Sequence, residues 1–304
     1  MVKIKVTCNW SNNEEIKKRL IDQFGNDEIL STVEIVSEGD DYDVLIAFGY
    51  ITETPINDKP IFVFPQEPTW SGGHQKYFND INNIKVFGFD IKNYSPTNVI
   101  IDSIAYMFYG GRGPWEEGDE FWNYNNITNL DIKKSKGICS FVSNRGLNED
   151  SFPENCLYKE RTDLVSLNYD KLPFIDFYGW GNHENLKPHV GKKWDSLKDY
   201  KFCLSIENSN ERHYISEKFY DCILSNTIPI YYGCNNVKDY WPENGFIHLD
   251  NITDYDYITN KLNWINDNID ELYEQMLPDL LKMKTRYFNE FNIIKKIKQE
   301  YNEL

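Results

Sequence analysis

The chain has 304 residues, 40% of them hydrophobic and 15% aromatic, and a formal net charge of −16. That length allows two domains with separate cores, and the apolar content excludes wholesale disorder. The acidic balance argues against a nucleic-acid partner and against attraction to an anionic membrane, both of which need a basic footprint.

In chain order, the alternating text at residues 2–7 predicts a strand, residues 13–24 an amphipathic helix and 32–36 a second strand. The continuous apolar run at 43–48 reads as a buried strand of a parallel sheet, and 60–64 as another, followed at once by Pro65-Gln66-Glu67-Pro68. A strand is expected over 84–87 and a helix over 99–109. From about 110 to 136 the rhythm breaks into Gly, Asn and acidic residues, which places the link between domains there. The expected division is therefore a first domain over 1–130 and a second over 131–304, with a last helix within 287–304 able to cross back to the first.

The second half restarts with a strand at 137–142 ending in Ser143-Asn144, a helix over 156–168 carrying Arg161, and a strand at 174–178. An apolar run at 202–206 then ends in Glu207-Asn208-Ser209. After a polar loop, a helix is predicted to start within Tyr214-Ile215-Ser216-Glu217-Lys218, and a strand at 228–232 closes on Gly233. A short strand near 246–249 and long helices from 255 onward complete the chain. Polar residues gathered where parallel strands end and a helix begins mark the ligand-binding edge of an open α/β sheet. A helix N-terminus there suits a phosphate, and Lys218 in its first turn opposes the helix dipole unless an anion sits nearby.

The string from Ile206-Glu207-Asn208-Ser209 through Tyr214-Ile215-Ser216-Glu217-Lys218 to Ile228-Pro229-Ile230 and Gly233 closely resembles the donor-binding signature of the glycosyltransferase family 10 fucosyltransferases. It covers roughly thirty residues with many fixed positions, far more than a lone Gly-rich motif. One departure is Ile206, where that family commonly has Phe. The resemblance implies an α/β protein of the GT-B class, two Rossmann-like domains facing each other across a cleft. The first would bind the acceptor and the second a GDP-sugar.

It also implies roles for particular residues. Ser143, Asn144, Arg161, Glu207, Asn208, Ser209, Tyr214, Glu217 and Lys218 are expected to bind the donor, with Arg161 and Lys218 on its pyrophosphate. Glu217 is the candidate for holding the sugar hydroxyls and the oxocarbenium-like centre. Glu67, between Gln66 and Pro68 just past a buried strand, is the candidate base, on a shorter and weaker match than the signature. His213 beside Tyr214 is the histidine expected to face the donor. Trp70, Tyr77, Phe78 and Trp115 are candidates for stacking on acceptor sugars, although core is the commoner fate of an aromatic.

The reaction so implied is inverting transfer of L-fucose from GDP-fucose to a sugar hydroxyl, α1,3 on N-acetylglucosamine or glucose. No cofactor or metal is expected, because no residue set has metal-ligand spacing and cationic side chains can take the place of a bridging ion. The six cysteines show no paired spacing and read as free thiols. No leader or membrane segment is seen in the opening residues, so a soluble cytoplasmic protein is expected. Two alternatives stay open: a transferase using another GDP-sugar, and a nucleotide- or carbohydrate-binding protein without catalysis.

Overall fold

A computed structural model describes residues 1–39, 41–49, 51–52, 59–68, 70, 84–88, 99–102, 108, 123–143, 152–180, 187 and 193–304. The chain forms two compact units. One comprises Met1–Thr128, Arg212–Tyr214 and Arg286–Leu304; the other comprises Asn129–Glu211 and Ile215–Thr285.

The first unit holds β1 (Val2–Cys8), α1 (Asn13–Phe24), α2 (Asp27–Leu30), β2 (Val33–Val36), β3 (Val44–Phe48), β4 (Ile61–Phe64), β5 (Ile84–Gly88), β6 (Val99–Asp102) and α3 (Tyr124–Thr128). Its sheet has the order β2-β1-β3-β4-β5-β6 with every pairing parallel. Strands β3 and β4 are buried along their whole length, as their unbroken apolar runs require. Helix α1 starts where the Asn12 side chain accepts from Glu15 N, 2.8 Å away, and it buries Ile16, Leu20 and Phe24 at i, i+4, i+8 spacing. Phe48, Phe64 and Phe87 stack across β3, β4 and β5.

The end of the chain completes this unit. Helix α10 (Ile293–Asn302) buries Ile293, Ile294 and Ile297, and Asn292 just before it donates to Phe24 O at 2.8 Å. Glu300 of α10 takes Lys85 of β5 at 3.2 Å. The sequence differs from the structure at 99–109: residues 99–102 are strand β6, paired with β5, and not part of a helix. Val99-Ile100-Ile101 is β-branched, and a short apolar run does not reveal its own period.

The second unit holds β7 (Lys136–Ser143), α4 (Tyr158–Asn168), β8 (Ile175–Trp180), α5 (Lys193–Leu197), β9 (Tyr200–Ile206), α6 (Glu217–Leu224), β10 (Ile228–Tyr232), α7 (Val237–Tyr240), β11 (Ile247–His248) and α8 (Tyr255–Asp267), and the greater part of α9 (Ile269–Glu290). Its sheet order is β11-β10-β9-β7-β8, again all parallel. From β7 the chain goes to β8 on one side and returns to β9 on the other. The direction of winding therefore reverses between β7 and β9, and open sheets bind ligands beyond the strand ends at such a point. All six cysteines are free and buried; Cys139, Cys203 and Cys222 pack with Tyr178, Leu197 and Tyr200.

Candidate active site

Strand β9 delivers Glu207 and Asn208 to the edge where the winding reverses, and α6 begins ten residues later. Within the predicted stretch 214–218 the helix starts at Glu217, because Ser216 is its N-cap: the hydroxyl accepts from Lys218 N at 3.2 Å. Glu207 is fully enclosed and fixes this cap. Its carboxylate accepts from Ser216 N at 2.8 Å and Ser216 Oγ at 2.5 Å, with the Tyr231 hydroxyl at 3.3 Å. Two N–H groups at the helix start are thus already taken, and the side-chain cations carry more of any anion recognition than the free helix end anticipated from the sequence.

Lys218 lies among carboxylates, its Nζ 3.1 Å from Glu217 Oε1 and 3.9 Å from Glu207 Oε2. This answers the conflict of a cation in a first helical turn. Burial raises the Glu207 carboxyl above its ordinary value, against the pull of Lys218, while Glu217 adds to the rise and the Ser216 bonds oppose it. Burial also acts upward on Glu217, but Lys218 and Lys193 outweigh it and hold that carboxyl at about 2. Glu217 is therefore an anion at neutral pH beside a cation, on a half-buried surface.

On the other flank, Arg161 of α4 is 95% buried, and its Nη1 donates to Asn208 Oδ1 at 2.6 Å. Its acidic neighbour Asp163 is held instead by Lys159 one turn away. The loop after β9 is tied to the segment before α4: Asn208 O accepts from Leu157 N at 2.9 Å, and Ser209 Oγ donates to Asn155 O at 3.1 Å. Arg161, Asn208, Ser209, Glu207, Glu217 and Lys218 thus form one connected group in the second unit. Ser143 ends β7 opposite Trp180 of β8, and Asn144 lies outside the described residues. Tyr214 and His213 are both buried, His213 with a left-handed φ of 65°.

Glu67 belongs to the first unit, three residues past the end of β4 and half-buried. Gln66 beside it folds its amide onto the carbonyls of Phe64 and Pro65, at 3.2 and 3.3 Å. Trp70 is half-buried nearby in sequence, whereas Tyr77, Phe78 and Trp115 lie outside the described residues.

Sequence reasoning missed three contributors. Ser216 is the cap, Tyr231 reaches Glu207 from β10, and Lys193 of α5 pairs with the enclosed Asp221 of α6 at 2.8 Å. Asp221 stands one turn beyond Glu217 on an otherwise apolar helix, and that spacing was the signal available. Among the described residues no group of three or more His, Cys, Asp or Glu could hold a metal ion, and no helix is long and apolar enough to cross a membrane.

Residues 132–278 match the family profile described as glycosyltransferase family 10 (fucosyltransferase) C-terminal domain. A fucosyltransferase-like protein of Arabidopsis thaliana is 33% identical over 192 residues, covering 62% of this chain and 33% of that protein. The alpha-(1,3)-fucosyltransferase FucT of Helicobacter pylori is 34% identical over 119 residues, covering 37% and 25%. The chain therefore spans a third or less of these two relatives. Among solved structures, an alpha1,3-fucosyltransferase with GDP-fucose superposes with a TM-score of 0.52 at 19% identity, covering 91% of this chain and 81% of that one. The crystal structure of TarM gives 0.51 at 12% identity, covering 86% of this chain and 54% of that one. The fold class is that of the GT-B glycosyltransferases, with two parallel-sheet α/β units. Residues 132–278 thus match the C-terminal domain of glycosyltransferase family 10, the fucosyltransferases.

Proposed function

We propose that the protein is an inverting fucosyltransferase that moves L-fucose from GDP-fucose to a sugar hydroxyl, α1,3 on N-acetylglucosamine or glucose. The observation that carries this reading is the Glu217–Lys218 pair at the capped start of α6, beside the strand ends where the second sheet reverses its winding. Relatives named as α1,3-fucosyltransferases and a similarly folded structure with GDP-fucose bound support it. The six free, buried thiols support a reducing, cytoplasmic setting.

Each chemical requirement has a candidate. Lys218 and Arg161 stabilise the negative charge that builds on the departing diphosphate. Glu217, held anionic, binds sugar hydroxyls and faces the positive charge growing at the anomeric carbon. Asn208 and Ser209 set the loop that aligns Arg161, and Ser143, Asn144 and Tyr214 are the further donor-binding candidates that the family resemblance implies. Glu67 takes the proton of the attacking hydroxyl. Glu207 serves through Ser216, which it holds, rather than by touching the donor. The second unit binds the GDP-sugar and the first the acceptor.

The test is thermal stabilisation by GDP, which ligand linkage requires of a donor site, followed by a glycan array with GDP-fucose. GDP should raise the melting temperature, less so in Lys218→Ala and Arg161→Ala. No shift at millimolar GDP would defeat the donor assignment. Transfer from GDP-mannose but not GDP-fucose would replace the sugar and keep the reaction class. Binding of GDP without transfer or donor hydrolysis would make the protein a binding module.

A further inference from the structure

We propose that Lys193 is a positioning residue of the donor site, anchored on Asp221 so that its ammonium is the second cation fixing the Glu217 carboxylate on the first turn of α6. This deepens the donor reading above and rests on it. Glu217 and Asp221 stand at i and i+4 on α6, so two carboxylates share one face and repel each other. Asp221 is fully enclosed, and an isolated carboxylate there would be severely disfavoured. Lys193, at the first position of α5, answers it at 2.8 Å and lies over the Phe141 ring of β7, 5.4 Å from its centroid. One aromatic face and one buried carboxylate thus fix the position of the ammonium from two elements.

The charged groups around Glu217 then alternate in sign. Lys218 lies on its own helix, Glu207 at the end of β9 behind Lys218, Asp221 one turn along, and Lys193 comes from α5. Lys193 is among the groups that hold Glu217 far below an ordinary carboxyl, and Glu217 is among those that raise Lys193 against the effect of burial. A group depressed in this way contributes stability above its unfolded value and loses it as the pH falls through the folded value. Removing Lys193 moves that loss to higher pH. It also lets a proton compete for the carboxylate that the transfer reaction needs as an anion.

The experiment follows Glu217 directly. Protein labelled with carboxyl-¹³C glutamate is titrated by NMR from about pH 8 to about pH 3, the Glu217 resonance being assigned with Glu217→Gln. In the unsubstituted protein Glu217 should stay ionised throughout. In Lys193→Met its midpoint should rise by about one to three units, into the window, and Lys193→Arg should restore the starting behaviour. Identical titration in Lys193→Met and the unsubstituted protein overturns the proposal. Should Lys193→Met fail to fold because Asp221 is stranded, Lys193→Met with Asp221→Asn removes the stranded charge, and its Glu217 midpoint should lie above that of Asp221→Asn alone; equal midpoints in those two variants overturn the proposal. In the donor arm, the acid limb of GDP-fucose turnover should move up with the Glu217 midpoint; a limb that stays in place while Glu217 shifts overturns the role in the site. The titration needs no nucleotide. An unsubstituted protein that binds no GDP therefore refutes the donor reading, while the titration still decides the Lys193–Glu217 coupling.

Discussion

Gly233 leaves room for Glu207: a Cβ at position 233 would fall 2.6 Å from Glu207 Cβ, closer still to its Cγ, and 3.0 Å from the Tyr231 hydroxyl. The glycine closing β10 is thus required by a buried carboxylate on the neighbouring strand, and through Glu207 by the cap of α6. Gly233→Ala must push Glu207 off Ser216 or shift the strand end. A loss of about 1–3 kcal/mol is expected, as for overpacking in a core. GDP affinity should fall with it, because Lys218 stands on the turn that Glu207 organises. Urea unfolding and a GDP titration of the same variant check both; a variant as stable as the parent would show that the strand end yields freely.

The opposite end of the second unit carries two buried lysines that donate to neutral oxygens. Lys134 donates to Lys198 O, Ser225 O and Thr227 Oγ1 at 2.7–2.9 Å, and Lys284 to Asn226 Oδ1 at 2.9 Å. Burial lowers both ammonium groups to about 7, with Lys134 adding to the effect on Lys284. Between that value and the ordinary 10.5 the unfolded chain binds more protons, so stability from these groups rises with pH across the interval. It is lowest near neutrality and flat below it. Lys284→Met should remove up to about 2–3 kcal/mol of the gain between about pH 7 and about pH 9. Denaturant unfolding at the two pH values reads the slope, which a lost hydrogen bond alone would leave unchanged.

What the sequence disclosed follows from the kind of interaction involved. Strand β10 was legible residue for residue, because a short apolar run between a polar turn and a glycine has few other interpretations. The helix start was bracketed within 214–218 but not fixed, since Tyr214-Ile215 continues the apolar pattern while Ser216 caps the backbone and puts the first helical residue at Glu217. The run at 99–102 was misread because β-branched residues on a short segment satisfy a helical and a strand pattern equally. Lys193 and Asp221 are 28 positions apart, and nothing local to either announces their pairing. Glu207 was recognised, but that it supports the cap rather than facing outward depends on burial, which the motif does not encode.

Transfer should persist in excess chelator. A bridging metal ion would neutralise the departing diphosphate, and here Lys218 and the aligned guanidinium of Arg161 are proposed to do so. Turnover of GDP-fucose is measured with and without EDTA, then after adding manganese or magnesium. Full loss in EDTA that either ion reverses would assign the leaving-group charge to a metal instead of to these two side chains.

Substitution of Glu67 tests its proposed role as the base directly. Glu67 follows a strand buried along its whole length, between Gln66, which is bonded to the backbone of Phe64 and Pro65, and the buried Pro68. Its backbone is therefore set by rigid neighbours, which suits a group that must meet a hydroxyl at a fixed distance. Glu67→Gln keeps the shape and the hydrogen-bonding capacity but cannot accept the proton of the attacking hydroxyl. Turnover should fall by about 10²–10⁴-fold, the usual contribution of general base catalysis. GDP affinity should hold, because Arg161 and Lys218, the cations proposed to bind the diphosphate, belong to the other unit. The pair of measurements separates the causes: a fall in both would point to misfolding, and a fall in turnover alone to a lost base. If Glu67→Gln retains most of its turnover with GDP binding intact, Glu67 leaves the mechanism. Another carboxylate of the first unit must then take the proton, while the roles of Lys218 and Arg161 in the second are unaffected.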